Sequence, residues 1–207
     1  MYLSVYGEAF TEKVIEKSRF LTYAAHTAGE SEAAAFLSRV RAEHPQATHV
    51  CYAYVADAIG NEQRFSDAGE PQGTAGMPIL GVLKAKKLCE TAVAVVRYFG
   101  GIKLGAGGLT RAYSSSAAEC CGAAEIREYD TCVRCAVAVG YSEVNALIRF
   151  AEREGAEYEK SFGERAEFLF AVRRTDYIAF CGRLNEFLNG RAEIAELERF
   201  VYPFPQK

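Results

Sequence analysis

Apolar residues recur along this chain with two different periods. Over 166–172, Ala166, Phe168, Phe170 and Val172 alternate with Glu167, Leu169 and Ala171, the period of a strand with one buried face. Over 32–44 the apolar positions are Ala33, Phe36, Leu37 and Val40, spaced as one face of a helix that Pro45 ends. Carried through the second half, these periods predict a strand over 133–139 and then a helix carrying Val144, Leu147, Ile148 and Ala151, capped by Ser142. Two strands follow, 157–161 and 166–172, joined by a turn at 162–164. A second helix presents Tyr177, Phe180, Cys181, Leu184, Phe187 and Leu188, with Asp176 as its cap and Gly190 as its stop, and a last strand lies near 194–201. The order βαββαβ is that of a ferredoxin-like domain.

The first half is less even. Strands are predicted at 8–10, 13–16 and 19–26, a helix at 32–44, a strand at 48–56, and a polar loop over 60–74. A helix over 76–87 follows, with Thr74 as a candidate cap and Pro78 in its first turn. A valine-rich strand over 91–99 leads to a helix over 109–122 whose inner face is Leu109, Ala112, Tyr113, Ser116, Ala117, Cys120 and Cys121, and 126–130 reads as a closing strand. The expected fold class is α+β, built as two-layer α/β sandwiches, with one domain over 1–131 and a second over 132–207.

Composition narrows the classes. The chain has 207 residues, half of them apolar, enough to bury a core. No apolar run reaches the ~18 residues of a membrane span, and the first residues lack a basic flank and apolar core, so neither membrane nor export is expected. Seven scattered cysteines read as free thiols of a reducing cytoplasm. The net charge of −3 argues against a generally basic nucleic-acid binder. Between Lys84 and Arg111, however, six cations (Lys84, Lys86, Lys87, Arg97, Lys103, Arg111) face one anion, Glu90. That excess brackets a glycine-rich stretch, FGGIKLGAGGL over 99–109.

The stretch lies between a strand and a helix. Glycines permit positive φ and close approach, and a helix N-terminus attracts anions. Arg97, Lys103, Gly105, Gly107, Gly108 and Arg111 are therefore the candidate phosphate- or nucleic-acid-binding residues, with Arg111 placed in the helix's first turn. A β-branched residue at Gly107 is expected to damage the loop. The stretch is neither a dinucleotide fingerprint nor a nucleotide P-loop. A second stretch, FSDAGEPQGTAG over 65–76, also leads into a helix. Its Asp67 and Glu70 could serve as acid and base, could hold a metal, or could cap backbone N–H groups. His49 and Cys51 alternate on one strand face, and a Cys–His nucleophilic pair is the alternative to a half-buried strand face. The catalytic candidates are thus His49, Asp67 and Glu70. Cys132 and Cys135 match C-x-x-C, but no second such pair completes a zinc site. No metal and no cofactor are expected.

These residues resemble a known family. FSDAGEPQGTAG over 65–76, VRYFGG over 96–101, LGAGGL over 104–109 and RAY over 111–113, preceded by HVCYA over 49–53, are similar to the signature of the YigZ/IMPACT family. The second half resembles the small C-terminal domain of its bacterial members. The resemblance implies an N-terminal α/β domain with a left-handed βαβ crossover, like a small-subunit ribosomal protein and domain four of elongation factor G, and a ferredoxin-like C-terminal domain. It implies a link to the control of translation. The extra partner-binding domain of eukaryotic members is not expected, because the chain begins close to the shared domain. The leading expectation is an RNA- or ribosome-associated modulator of translation, with a protein partner expected on the C-terminal domain. The alternatives are an enzyme acting on a phosphorylated small molecule and a protein-interaction module. Fold likeness by itself carries no mechanism.

Overall fold

The computed structural model describes residues 1–206. The chain divides into two compact units, Met1–Glu128 with the chain end from Pro205, and Tyr129–Phe204.

The first unit contains β1 (Tyr2–Val5), β2 (Glu8–Ile15), β3 (Ser18–His26), α1 (Glu30–Glu43), β4 (His49–Val55), β5 (Gln63–Ser66), α2 (Gly76–Ala85), β6 (Thr91–Tyr98) and α3 (Gly105–Ala123). Five strands form one sheet in the order β2-β3-β6-β4-β5. Each neighbouring pair is antiparallel, so β3 and β4, joined through α1, run parallel on either side of β6.

Both faces of this sheet are covered. Phe20, Ala24, Cys51, Ala53, Val93 and Val95 pack with Ile79 and Leu83 of α2 and with Leu109, Tyr113 and Ala117 of α3. Leu21, Ala25, Tyr54, Ala94 and Val96 pack on the other face with Ala33, Phe36, Leu37 and Val40 of α1. β6 is buried from Thr91 to Arg97, as a central strand enclosed on both faces must be. The class is α+β, but this unit has helices on both faces of its sheet rather than the two layers expected. The valine-rich run of β6, apolar on both faces, was the cue to that second helical layer.

Several predicted boundaries move for identifiable reasons. The two short strands expected over 8–16 are one strand, β2, whose residues alternate exposed and half-buried. Polar Thr11 and Glu12 sit in an ordinary strand register opposite Thr22 and Leu21. The turn to β3 consists of Glu16 and Lys17, with φ of 45° and 63°. Two positive φ values suit a tight hairpin, but the usual Asn-Gly signal is absent. β5 lies inside the stretch taken as loop, and β1 was not predicted.

α3 begins at Gly105, four residues before the expected start, so Gly105, Gly107 and Gly108 belong to its first turn. Glycine is a poor helix former; packing of the Leu109, Ala112, Tyr113 and Ser116 face overrides that preference, and the whole expected inner face is buried. Gly107 is not among the positive-φ residues, whereas Gly105 has φ 68°. The strain expected at Gly107 is therefore not present.

The second unit follows β7 (Ile126–Val139), a 3₁₀ turn at Tyr141–Glu143, α4 (Val144–Glu154), β8 (Tyr158–Phe162), β9 (Ala166–Arg173), α5 (Tyr177–Phe187) and β10 (Glu193–Pro205). β9 lies between β7 and β8, and β10 pairs with the other edge of β7, the strand arrangement of a ferredoxin-like fold. Val137, Val139, Phe168 and Phe170 pack against Leu147, Phe150, Phe180 and Leu184. The two strands expected at 126–130 and 133–139 are one continuous β7.

None of the three expected helix caps forms. The N-caps of α2, α4 and α5 are Ala75, Glu143 and Asp176, each without a side-chain capping bond. The Thr74 hydroxyl donates to the Pro71 carbonyl, Ser142 donates to Glu143, and the Asp176 carboxylate accepts from Arg183.

Candidate functional site

The 65–76 stretch meets the end of β6 at a buried ion pair. β6 delivers Arg97 opposite Phe20 of β3 and His49 of β4. Arg97 is 5% exposed and Glu70 is 9% exposed. The guanidinium Nη1 donates to Glu70 Oε1 at 2.7 Å, and Nη2 donates to Ser18 Oγ at 3.3 Å. The group lies 5.5 Å from the centroids of both the Phe20 and Phe99 rings. Tyr113, on the inner face of α3, donates its hydroxyl to the same Glu70 oxygen at 2.8 Å. Burial, with Cys51 and Glu70 nearby, pushes the Tyr113 phenol well above its ordinary value, so it is a hydrogen-bond donor and not a base.

Asp67 has a different task. One carboxylate oxygen accepts from the Gly73 N–H at 2.8 Å. The other accepts from Ala75 and Gly76, both at 2.9 Å. Burial alone would raise its pKa, but the bonds from Gly73, Gly76 and Ala75 hold it below the ordinary carboxylate value. Of the roles open to Asp67, acid–base chemistry, metal holding or capping, the carboxylate is engaged in capping the start of α2 from outside the helix. Glu70 is likewise engaged, by Arg97 and Tyr113.

His49 Nδ1 donates to the Ala68 carbonyl at 2.8 Å. Its Nε2 lies 3.9 Å from Glu70 Oε2, beyond hydrogen-bond distance. The Cys51 thiol donates to the Asp67 carbonyl at 2.9 Å, and burial pushes its pKa up to about 12. Cys51 and His49 each point at backbone of the 67–70 segment instead of at one another, so the alternative of a nucleophilic pair has no geometry here. No group of three or more metal-ligating side chains occurs among the described residues.

The cations of the sequence cluster separate in space. Lys84 and Lys86 stand in the last turn and at the C-cap of α2, and Lys86 acts electrostatically on Cys121 at the far end of α3. Arg97 is interior. Lys103 and Arg111 are exposed and make no ion pair among the described residues. Arg111 lies in the second turn of α3, not the first, but its Nη1 comes within 3.6 Å of where a Gly107 Cβ would stand. The start of α3 has no side-chain cap and no acidic residue in its first turn, and Gly105 and Gly107 are exposed there while Gly108 is half-buried.

Gly100 explains why this segment needs at least one glycine. A Cβ there would lie 2.0 Å from the Lys17 carbonyl carbon, so only glycine lets the chain cross the β2–β3 turn. The Gly100 N–H donates to Ser18 Oγ at 3.2 Å. This contact brings exposed Lys17 to the same segment. Sequence reasoning missed Lys17, because nothing local links a turn at 16–17 with a glycine at 100.

The family model described as the Impact N-terminal domain matches residues 16–121, the span that holds Lys17, His49, Asp67, Glu70, Arg97, Lys103, Arg111 and Tyr113. The chain belongs to the IMPACT family. The IMPACT family member YvyE of Bacillus subtilis is 37% identical over 198 residues, covering 95% of this chain and 91% of the relative. The IMPACT family member YigZ of Escherichia coli is 54% identical over 101 residues, 48% of this chain and 50% of the relative. A solved structure titled as that of a hypothetical protein superposes with TM-score 0.63 at 31% identity, covering 95% of this chain and 97% of that one. This likeness spans both units. Among the described residues no helix is long and apolar enough to cross a membrane.

Proposed function

We propose that this IMPACT family protein is an RNA- or ribosome-associated modulator of translation that grips phosphate groups at the start of α3. The observation that carries this reading is the exposed, uncapped helix start with Lys103 before it and Arg111 folded back toward Gly107. Unpaired N–H groups, the positive end of the helix and two unpaired cations all favour an anion there. Phosphate contacts of this kind give affinity without reading sequence. Arg97 is engaged inside the fold, where it pairs with Glu70 of the 67–76 segment. The engagement of Asp67 and Glu70 weighs against the enzyme alternative, which needs a free carboxylate.

The test is binding of ribosomes and of a structured RNA across a salt series, comparing wild type with Lys103→Ala/Arg111→Ala. Both side chains are exposed, so the variant keeps the fold. Weaker binding with a shallower salt slope is the expected result. Wild-type protein that binds neither at low salt would overturn the reading.

A further inference from the structure

The second unit carries a concave site that the reading above does not use. Its cavity, about 250 Å³, is lined by Arg134, Glu157, Glu159, Leu169, Phe200 and Tyr202, among others. Arg134, Leu169 and Ala171 belong to the sheet face turned away from α4 and α5: Arg134 is opposite Ala171, and Leu169 is opposite both Ala136 and Glu159. The intervening residues, Phe168, Phe170 and Val172, enter the helical core. The cavity therefore sits on the open face of the ferredoxin-like sheet.

Its chemistry is specific. Phe200 and Tyr202 supply aromatic walls, and Leu169 and Ala171 supply an apolar floor. The Tyr202 hydroxyl donates to Glu157 Oε2 at 2.6 Å, which fixes the orientation of that carboxylate. Arg134 stacks over Phe200 at 4.7 Å from its centroid and pairs with Glu198 at 3.2 Å. That cation is thus already neutralised. Glu159 is exposed and forms no ion pair among the described residues. Of the lining residues two are carboxylates, Glu157 and Glu159, beside the one guanidinium of Arg134, which Glu198 already pairs. The volume lies below the ~300–1,000 Å³ of a pocket for a whole small ligand. It suits one long side chain.

We infer that this face docks a basic segment of a partner protein, with an arginine side chain of that segment entering the cavity. A planar guanidinium stacks on aromatic rings and pairs with carboxylates in a way that a compact ammonium does not. Nucleic acid is disfavoured on the same face, because Arg134 is already paired and the Glu159 carboxylate repels phosphate. The site is independent of the phosphate contact proposed at α3: it lies in the other unit and takes a ligand of opposite charge.

The test uses the full chain, isotopically labelled, titrated with a blocked nonapeptide, Gly-Ser-Gly-Arg-Lys-Arg-Gly-Ser-Gly, and followed by amide chemical shifts. The expected result is saturable shifts at Arg134, Glu159, Leu169, Phe200 and Tyr202. Glu159→Lys should weaken binding at least tenfold, whereas Glu186→Lys, an exposed reversal on α5, should change it less than twofold. Equal loss from both reversals would mean bulk charge attraction and would overturn the proposal. So would the absence of shifts at millimolar peptide. A single-stranded RNA oligonucleotide that shifts the same amides would also overturn it and make this a nucleic-acid face. None of these outcomes bears on the salt-series result for Lys103 and Arg111.

Discussion

Arg97 and Glu70 form an ion pair inside the fold, Nη1 to Oε1 at 2.7 Å, with side chains 6% and 4% exposed. It joins the central strand of the sheet to a loop 27 residues earlier in the chain. Removing one partner strands the other charge in the interior, which costs about 3–5 kcal/mol. Arg97→Ala is expected to lose that much in denaturant unfolding. Arg97→Met with Glu70→Leu, which removes both charges, is expected to recover a large part of it. A double variant as unstable as the single one would show that Ser18, Phe20 and Phe99, the other neighbours of Arg97, matter more than the charge pairing.

Asp67 contributes to stability in a pH-dependent way. Its folded pKa is lowered from an ordinary 3.8. The contribution is therefore fully present above pH 3.8 and is lost as pH falls through the lower folded value. Asp67→Ala should cost about 2 kcal/mol at neutral pH, and the gap from wild type should narrow below pH 3.8. Urea midpoints at pH 7 and pH 3 measure this. An equal gap at both values would mean that the charge on Asp67 is irrelevant.

The glycines of the 100–108 segment should differ sharply in tolerance. Gly100→Ala forces a Cβ to within 2.0 Å of backbone at Lys17, and overpacking of this kind costs about 1–3 kcal/mol or more. At Gly107 the nearest atom to an added Cβ is the flexible Arg111 guanidinium at 3.6 Å. Gly107→Ala should be neutral or stabilising by up to about 1 kcal/mol through helix propensity. Thermal melts of the two variants decide the matter, and a destabilised Gly107→Ala would reveal a constraint that the helix geometry does not contain.

Thiol reactivity should divide the seven cysteines into two groups. Cys51, Cys120, Cys121, Cys132 and Cys135 are buried, whereas Cys89 and Cys181 are half-exposed. Burial raises Cys51, Cys121 and Cys135 to about 12, and Cys120 and Cys132 to about 11. Since the thiolate is the reactive form, a disulfide reagent at pH 8 should modify two thiols quickly in the folded protein and all seven after denaturation. Rapid loss of a third thiol would show that one of the buried cysteines opens on the labelling timescale.

Much of this protein is legible in its sequence because the signals are local. The inner face of α3 was readable residue by residue, since spacing of apolar positions along a helix states which side is buried. The alternation in 166–172 placed β9 for the same reason, and the order of elements in the second half implied its topology. The motifs at 65–76 and 96–113 pointed to the family. The tertiary structure alone decided what those motif residues do. Whether Asp67 is a catalyst or a cap depends on three N–H groups six to nine residues later in a folded loop. Whether Arg97 is a surface cation or an interior ion pair depends on Glu70 and Tyr113 arriving from two other segments. Charge and residue type are properties of the chain, but burial and partnership arise only when distant segments pack together, and they determine whether a charged group is free to meet a ligand.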